Sequence, residues 1–129
     1  MNILNVPENL FYTKDHEWVR IEGNEAWVGI SDFAQAGLGD IVYVEVETLG
    51  GNLKQGDVFG TVEAVKTVSD LFLPIDGTVR ELNPSIDHNP ELVNRDPYGE
   101  GWMVKLEIEG DLDTSQLLDA ASYKALIGA

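Results

Sequence analysis

Gly60-Thr61-Val62-Glu63-Ala64-Val65-Lys66-Thr67-Val68-Ser69-Asp70 is the stretch on which the fold turns. Two patterns compete within it. Glu63, Lys66 and Asp70 stand at i, i+3 and i+7, a spacing that would place them on one face of a helix. But Thr61, Val62, Val65, Thr67 and Val68 are β-branched, and such side chains lose rotamer freedom in a helix yet pack well on a pleated sheet. The stretch from Asp57 to Pro74 therefore reads as two strands, with Lys66 at the turn between them. The turn holds no Gly or Asn, so a type I geometry is expected rather than a primed one. A lysine at a hairpin tip is ordinarily a solvated charge. It gains meaning where a covalently held group must stand clear of the protein that carries it.

Period-two patterns continue on both sides. His16 to Glu22 puts Val19 and Ile21 on one face with Glu17 beside them, Gly23-Asn24 signals a turn, and Ala26 to Ile30 reads as the returning strand. Ser31 can cap a short helix through Phe33 to Ala36, ended by Gly37 or Gly39. Asp40 to Val46, Thr78 to Leu82 and Trp102 to Ile108 read as further strands. Asn5 to Leu10 reads as a loop or helical turn, and Pro84 to Gly101 as a long turn-rich segment. Glu107, Glu109, Asp111 and Asp113 alternate as a solvated strand edge. From Ser115 the period changes. Leu117, Leu118, Ala121, Ala125 and Leu126 form the stripe of an amphipathic helix, expected over 115–127 with Thr114 or Ser115 as its cap. Gly39-Asp40-Ile41-Val42 and Gly56-Asp57-Val58-Phe59 echo each other. The expectation is one mostly β domain spanning residues 1–129. It would be a flattened barrel or sandwich of two similar half-sheets, with short helices and a C-terminal helix.

Composition narrows the function. The chain has 129 residues and a formal charge of −15, from 8 Lys+Arg against 23 Asp+Glu. Such a surface repels phosphate backbones and anionic bilayers, which argues against nucleic acid and membrane as partners. It suits solubility, and steering toward basic patches on protein partners. No apolar run is long enough to span a bilayer, and the first seven residues lack Lys and Arg, so a cytoplasmic bacterial protein is expected. With no Cys, disulfides and thiolate chemistry are excluded. The lysines number five: Lys14, Lys54, Lys66, Lys105 and Lys124.

The window Val62 to Asp70 resembles the lipoyl-attachment motif of the glycine cleavage H-protein family. The likeness extends, in order, to Tyr12–Trp18, Gly29–Gln35, Leu38–Val42, Pro74–Gly77, Pro90–Asn94, Pro97–Trp102 and Leu117–Asp119. The resemblance implies a lipoyl-domain-like barrel-sandwich hybrid and a monomeric, non-catalytic carrier with lipoate bound covalently to Lys66. Its cargo would be the aminomethyl group of glycine. The implied partners are a pyridoxal-phosphate decarboxylase (P protein), a tetrahydrofolate-dependent aminomethyltransferase (T protein), dihydrolipoyl dehydrogenase (L protein) and lipoate-attaching enzymes. Glu63 and Asp70 would surround the attachment point. Family likeness also implies a cleft for the loaded arm, where a cationic amine would seek carboxylates; Glu17 and Asp70 are the candidates, with Asp15 a third. Plant-type members carry histidines where this chain has Phe33 and Gly37.

Other readings stay open at this level. His16 and His88 are the only histidines, and they are too far apart in sequence for the spacing of a metal site. A small enzyme could use His16, Glu17 and Asp70. An excised lipoyl or biotinyl domain would ordinarily show Asp-Lys-Ala or Met-Lys-Met, whereas Val65-Lys66-Thr67 stands here.

Overall fold

A computed structural model describes residues 4–128; the first three residues of the leader reading lie outside them. The chain opens with β1 (Phe11–Tyr12), β2 (Glu17–Glu22) and β3 (Glu25–Ile30). β2 and β3 pair antiparallel, with Glu22 opposite Glu25, so Gly23 and Asn24 alone form the loop. Gly23 takes φ 64°, the sign a primed hairpin turn needs at its first loop position. Ser31 then caps α1 (Asp32–Leu38), accepting the Ala34 N–H at 3.1 Å, and Gly39 ends the helix at φ 81°. Both signals had been legible as residue types.

There follow β4 (Ile41–Glu45), β5 (Asn52–Leu53), β6 (Val58–Ala64), β7 (Val68–Phe72) and β8 (Gly77–Leu82). After them come α2 (Pro84–His88), α3 (Leu92–Arg95), β9 (Val104–Glu107) and α4 (Ala120–Ile127). The strands form two antiparallel sheets, one of six in the order β1-β2-β3-β9-β8-β5 and one of three in the order β4-β6-β7. Both contribute to a single apolar core: Val19, Val28, Val79 and Leu106 from the larger, Val44, Phe59, Val62 and Leu71 from the smaller. The mostly β class with short helices and a terminal helix is therefore as expected. The sheets are unequal, however. The two echoing stretches lead into β4 and β6, neighbours in the same small sheet, not into one sheet each.

Three local expectations need correction. Pro84 to Gly101 is not only turns. Asn83 accepts the Ser85 N–H at 3.0 Å and Pro84 occupies the first helical turn, so α2 forms with Ile86 buried; α3 follows with Val93 buried. The terminal helix begins at Ala120, not Ser115. Leu118 exchanges two 2.8 Å backbone hydrogen bonds with Tyr12, which removes residues before 119 from helical pairing, and Asp119 supplies the cap at 2.8 Å to Ser122 N–H. The buried face of α4 is Ala120 and Tyr123, while Ala121 and Ala125 are exposed and Leu126 is 52 % exposed. Lastly, the acidic alternation outlasts its strand. β9 stops at Glu107, Gly110 takes φ 76°, and Glu109 accepts from Thr78 Oγ1 at 2.9 Å.

A second, aromatic cluster covers the other side of β2: Tyr12, Trp18, Ala120 and Tyr123 with Val6 and Leu10. It is how the terminal helix attaches to the sheet. Trp18 lies opposite Gly29 in the register, and a Cβ built on Gly29 would sit 2.8 Å from the indole ring. The ring cannot retreat freely, because its Nε1–H donates to Pro97 O at 2.9 Å. Gly29→Ala should therefore overpack this cluster and destabilise the protein by about 1–3 kcal/mol. The urea midpoint should fall at unchanged m value; an unmoved midpoint would show that Trp18 yields without cost.

Candidate functional site

Lys66 is the middle residue of the three-residue loop, Val65 to Thr67, between β6 and β7. Ala64 N–H donates to Thr67 O at 2.8 Å, closing the hairpin over Val65 and Lys66. Neither Val65 nor Lys66 has a positive φ, which excludes a primed turn. The tip is anchored, not free, since Val65 N–H donates to Asp40 O at 3.2 Å. Asn94 braces that corner. It accepts from Ile41 N–H at 2.8 Å and donates to Gly39 O at 2.8 Å and to Gln35 Oε1 at 3.0 Å. Around the tip, Val65 and Val68 are 74 % and 61 % exposed. Lys66 itself is exposed and, among the described residues, makes no ion pair. Its stem passes Gly39, where a Cβ would lie 4.0 Å from Lys66 Cε.

Beside the hairpin lies a cleft of about 240 Å³. Three elements wall it: the 15–17 corner before β2, helix α1 through Phe33, Ala34, Gly37 and Leu38, and the hairpin through Val62 and Ser69–Leu71. Asp15, Glu17 and Asp70 all line it, so the tertiary fold brings together acids that are more than fifty positions apart. Asp70 lies four residues from Lys66, at most about 14 Å of extended strand. Glu63 remains near the turn but lies outside the cleft, exposed and opposite Val68. Phe33 and Gly37 are both cleft residues, so an aromatic ring and an open space stand where histidines were noted in plant-type chains.

Glu17 is the unusual group. Its side chain is only 2 % exposed, yet it is a carboxylate. Thr13 Oγ1 donates to Oε1 at 2.7 Å and Phe72 N–H donates to Oε2 at 3.2 Å. Burial pushes its pKa up to about 7, the two hydrogen bonds pull against that, and the charge of Asp15 adds a smaller upward push. It also borders a second cavity of about 360 Å³, lined by Thr13, Gln55, Phe72 and Gln116. Glu17 thus forms the partition between two recesses.

His16 turns away from Glu17. Its Nδ1 lies 2.9 Å from Tyr123 Oη, its ring packs on Phe33 at 4.8 Å, and its backbone is left-handed at φ 70°. Burial lowers its pKa, against a smaller upward pull from Asp15. His16, Glu17 and Asp70, the residues of the enzyme reading, all line the cleft, but His16 and Glu17 make no hydrogen bond to each other. Asn94 and Tyr123 were missed from the sequence. A lone Asn or Tyr carries no local sign that it braces a distant corner.

The raised pKa of Glu17 makes a linkage prediction. The folded state holds a proton on this group between an ordinary value near 4.5 and about 7, where the unfolded chain has lost it. That contribution to stability is complete below 4.5 and falls as pH rises through 7, by up to about 3 kcal/mol. Glu17→Gln, which stays neutral, should gain in melting temperature relative to the parent chain as pH moves from 5 to 8. Parallel curves for the two proteins over that range would rule the shift out.

Comparison with known proteins agrees with this architecture. The family model described as glycine cleavage H-protein matches residues 10–129. The chain is 56 % identical over 126 residues to the glycine cleavage system H protein of Bacteroides fragilis, covering 98 % of this chain and 100 % of that one. It is 55 % identical over 127 residues to that of Chlorobium limicola, covering 97 % and 99 %. The crystal structure of a glycine cleavage system H protein from Mycobacterium marinum superposes with a TM-score of 0.84 at 35 % identity, over 96 % of this chain and 100 % of that chain. The chain belongs to the glycine cleavage H-protein family.

Proposed function

We propose that this protein is a lipoyl carrier of glycine cleavage in the bacterial cytoplasm, with Lys66 as the attachment point. Its cargo is an aminomethyl group, taken up at the P protein and delivered to the T protein; the L protein then restores the arm. One observation carries the reading: an exposed amine, with no ion pair among the described residues, stands on a braced hairpin tip beside a cleft that ends in carboxylates. The residues fit the group. A lipoate-attaching enzyme needs an accessible amine, and Lys66 is exposed at the tip. Lipoate, held there as an amide, would supply a disulfide able to accept the electron pair freed by decarboxylation of glycine and to carry the aminomethyl group on one of its sulfurs.

The rest is the work of this chain's own residues. Ile30, Leu38, Val62 and Leu71 give the cleft apolar walls suited to an aliphatic arm. Withdrawal into it excludes water from the aminomethyl group, whose hydrolysis would release formaldehyde and ammonia. Glu17, Asp70 and Asp15 offer acceptors to a protonated amine. With its pKa raised to about 7, Glu17 is partly neutral at neutral pH; a cation in the cleft favours its ionised form, so binding releases a proton and tightens as pH rises. Docking at partner active sites requires the arm to leave, so the hold must be modest.

Lys66→Arg keeps the charge and removes the acylation chemistry. The variant should gain no lipoyl mass when co-expressed with a lipoate ligase, and should not support glycine cleavage with the three partner proteins. An adduct on Lys14, Lys54, Lys105 or Lys124 in the parent chain would overturn the assignment. Glu17→Gln and Asp70→Asn should still be lipoylated, but the isolated loaded protein should release ammonia several-fold faster. Equal release from both variants and the parent would sink the acidic-cleft reading while leaving the carrier reading intact.

A further inference from the structure

Tyr123, on α4, reaches toward the cleft walls. Its ring is fully buried, stacked on Tyr12 with centroids 4.6 Å apart and planes 4° from parallel. Its hydroxyl meets two partners at once, His16 Nδ1 at 2.9 Å and Ser31 Oγ at 2.7 Å. Each partner holds one side of the cleft. His16 is the middle of the 15–17 corner, at φ 70°, a conformation that costs a non-glycine residue energy and persists only where surroundings hold it. Asp15 and Glu17 flank it on the chain. Ser31 caps α1, and its Oγ accepts the Ala34 N–H at 3.1 Å; α1 brings Phe33, Gly37 and Leu38 to the opposite side.

We propose that Tyr123 is a positioning residue of the cleft: Ser31 N–H already donates to His16 O at 2.8 Å and joins the acidic corner to the cap of α1, and the Tyr123 hydroxyl fixes the His16 ring and the Ser31 side chain on that joint, and so holds the cleft wall against which the loaded arm rests. The C-terminal helix is thereby a functional part of the carrier, although none of its residues lines the cleft. The hairpin, the third side, is anchored separately through Asp40, so attachment at Lys66 is independent of this tie. The inference rests on the reading of the cleft as the resting place of the loaded arm.

Tyr123→Phe tests it, since the stack on Tyr12 remains and only the hydroxyl is lost. Tyr12→Phe is the control: Tyr12 is equally buried and its hydroxyl donates to Pro7 O at 2.6 Å, but it touches no cleft residue through that group. In the unmodified chain, Tyr123→Phe should shift the amide signals of both His16 and Ala34–Leu38 and speed exchange of the Ala34 amide; Tyr12→Phe should leave them in place. With the lipoylated, aminomethyl-loaded protein, Tyr123→Phe should release ammonia roughly three- to ten-fold faster than the parent, the worth of one ordinary hydrogen bond. The rate of lipoylation should not change. If Tyr12→Phe speeds release as much, the effect is general loosening and the inference fails. If Glu17→Gln speeds release and Tyr123→Phe does not, the cleft reading stands and this inference alone falls. If neither does, both fall.

Discussion

The hydrogen bond from Val65 N–H to Asp40 O, 3.2 Å long, joins the two requirements placed on this fold. A carried group needs a lysine that stands clear of the body, and an unsupported three-residue hairpin tip would fray. The bond seats the tip on the α1–β4 corner. That corner is in turn held by the Asn94 side chain, whose amide makes three hydrogen bonds along it: to Gln35 in α1, to Gly39 at the helix end and to Ile41 at the start of β4. The flexible element is then the Lys66 side chain and not the hairpin backbone. Any group on that amine swings from a fixed origin, which raises its effective concentration within reach.

In the proposed function the cleft answers the opposite need, a place to withdraw to. Most of the 23 acidic residues are solvated and give the chain its charge of −15. Glu17 is different because desolvation acts on it. Burying a carboxylate is costly unless donors meet it, and here Thr13 and the Phe72 N–H do so. The balance leaves its pKa near 7, so the acidity of the cleft responds to what occupies it. A surface acid of ordinary pKa attracts a cation without changing its own charge, because it is already ionised at neutral pH.

Much of the fold was legible from residue types. β-branched residues outweighed the helical spacing of Glu63, Lys66 and Asp70. Ser31 and Gly39 bounded α1, and Gly23 marked its turn. The failures have a common origin. The helix expected from Ser115 lost its first residues to pairing between Leu118 and Tyr12, a contact across 106 positions. Its apolar stripe was misplaced because Tyr123, amphipathic and easily taken for a surface residue, is the side chain that packs. The echo of Gly39–Val42 and Gly56–Phe59 marked adjacent strands, since likeness of sequence carries no information about which sheet a strand joins.

By itself, then, the sequence determined the local elements and the one lysine placed on a turn, because turn chemistry, capping and β-branching act over a few residues. It also supplied Asp15, Glu17 and Asp70 as candidates, through resemblance. Only the tertiary structure decided that these acids share a cleft, that Glu63 does not, and that His16 bonds Tyr123, 107 positions away, rather than its neighbour Glu17. Those juxtapositions depend on strand register and on which faces the two sheets bury. No local propensity encodes them, because they arise only when distant segments pack.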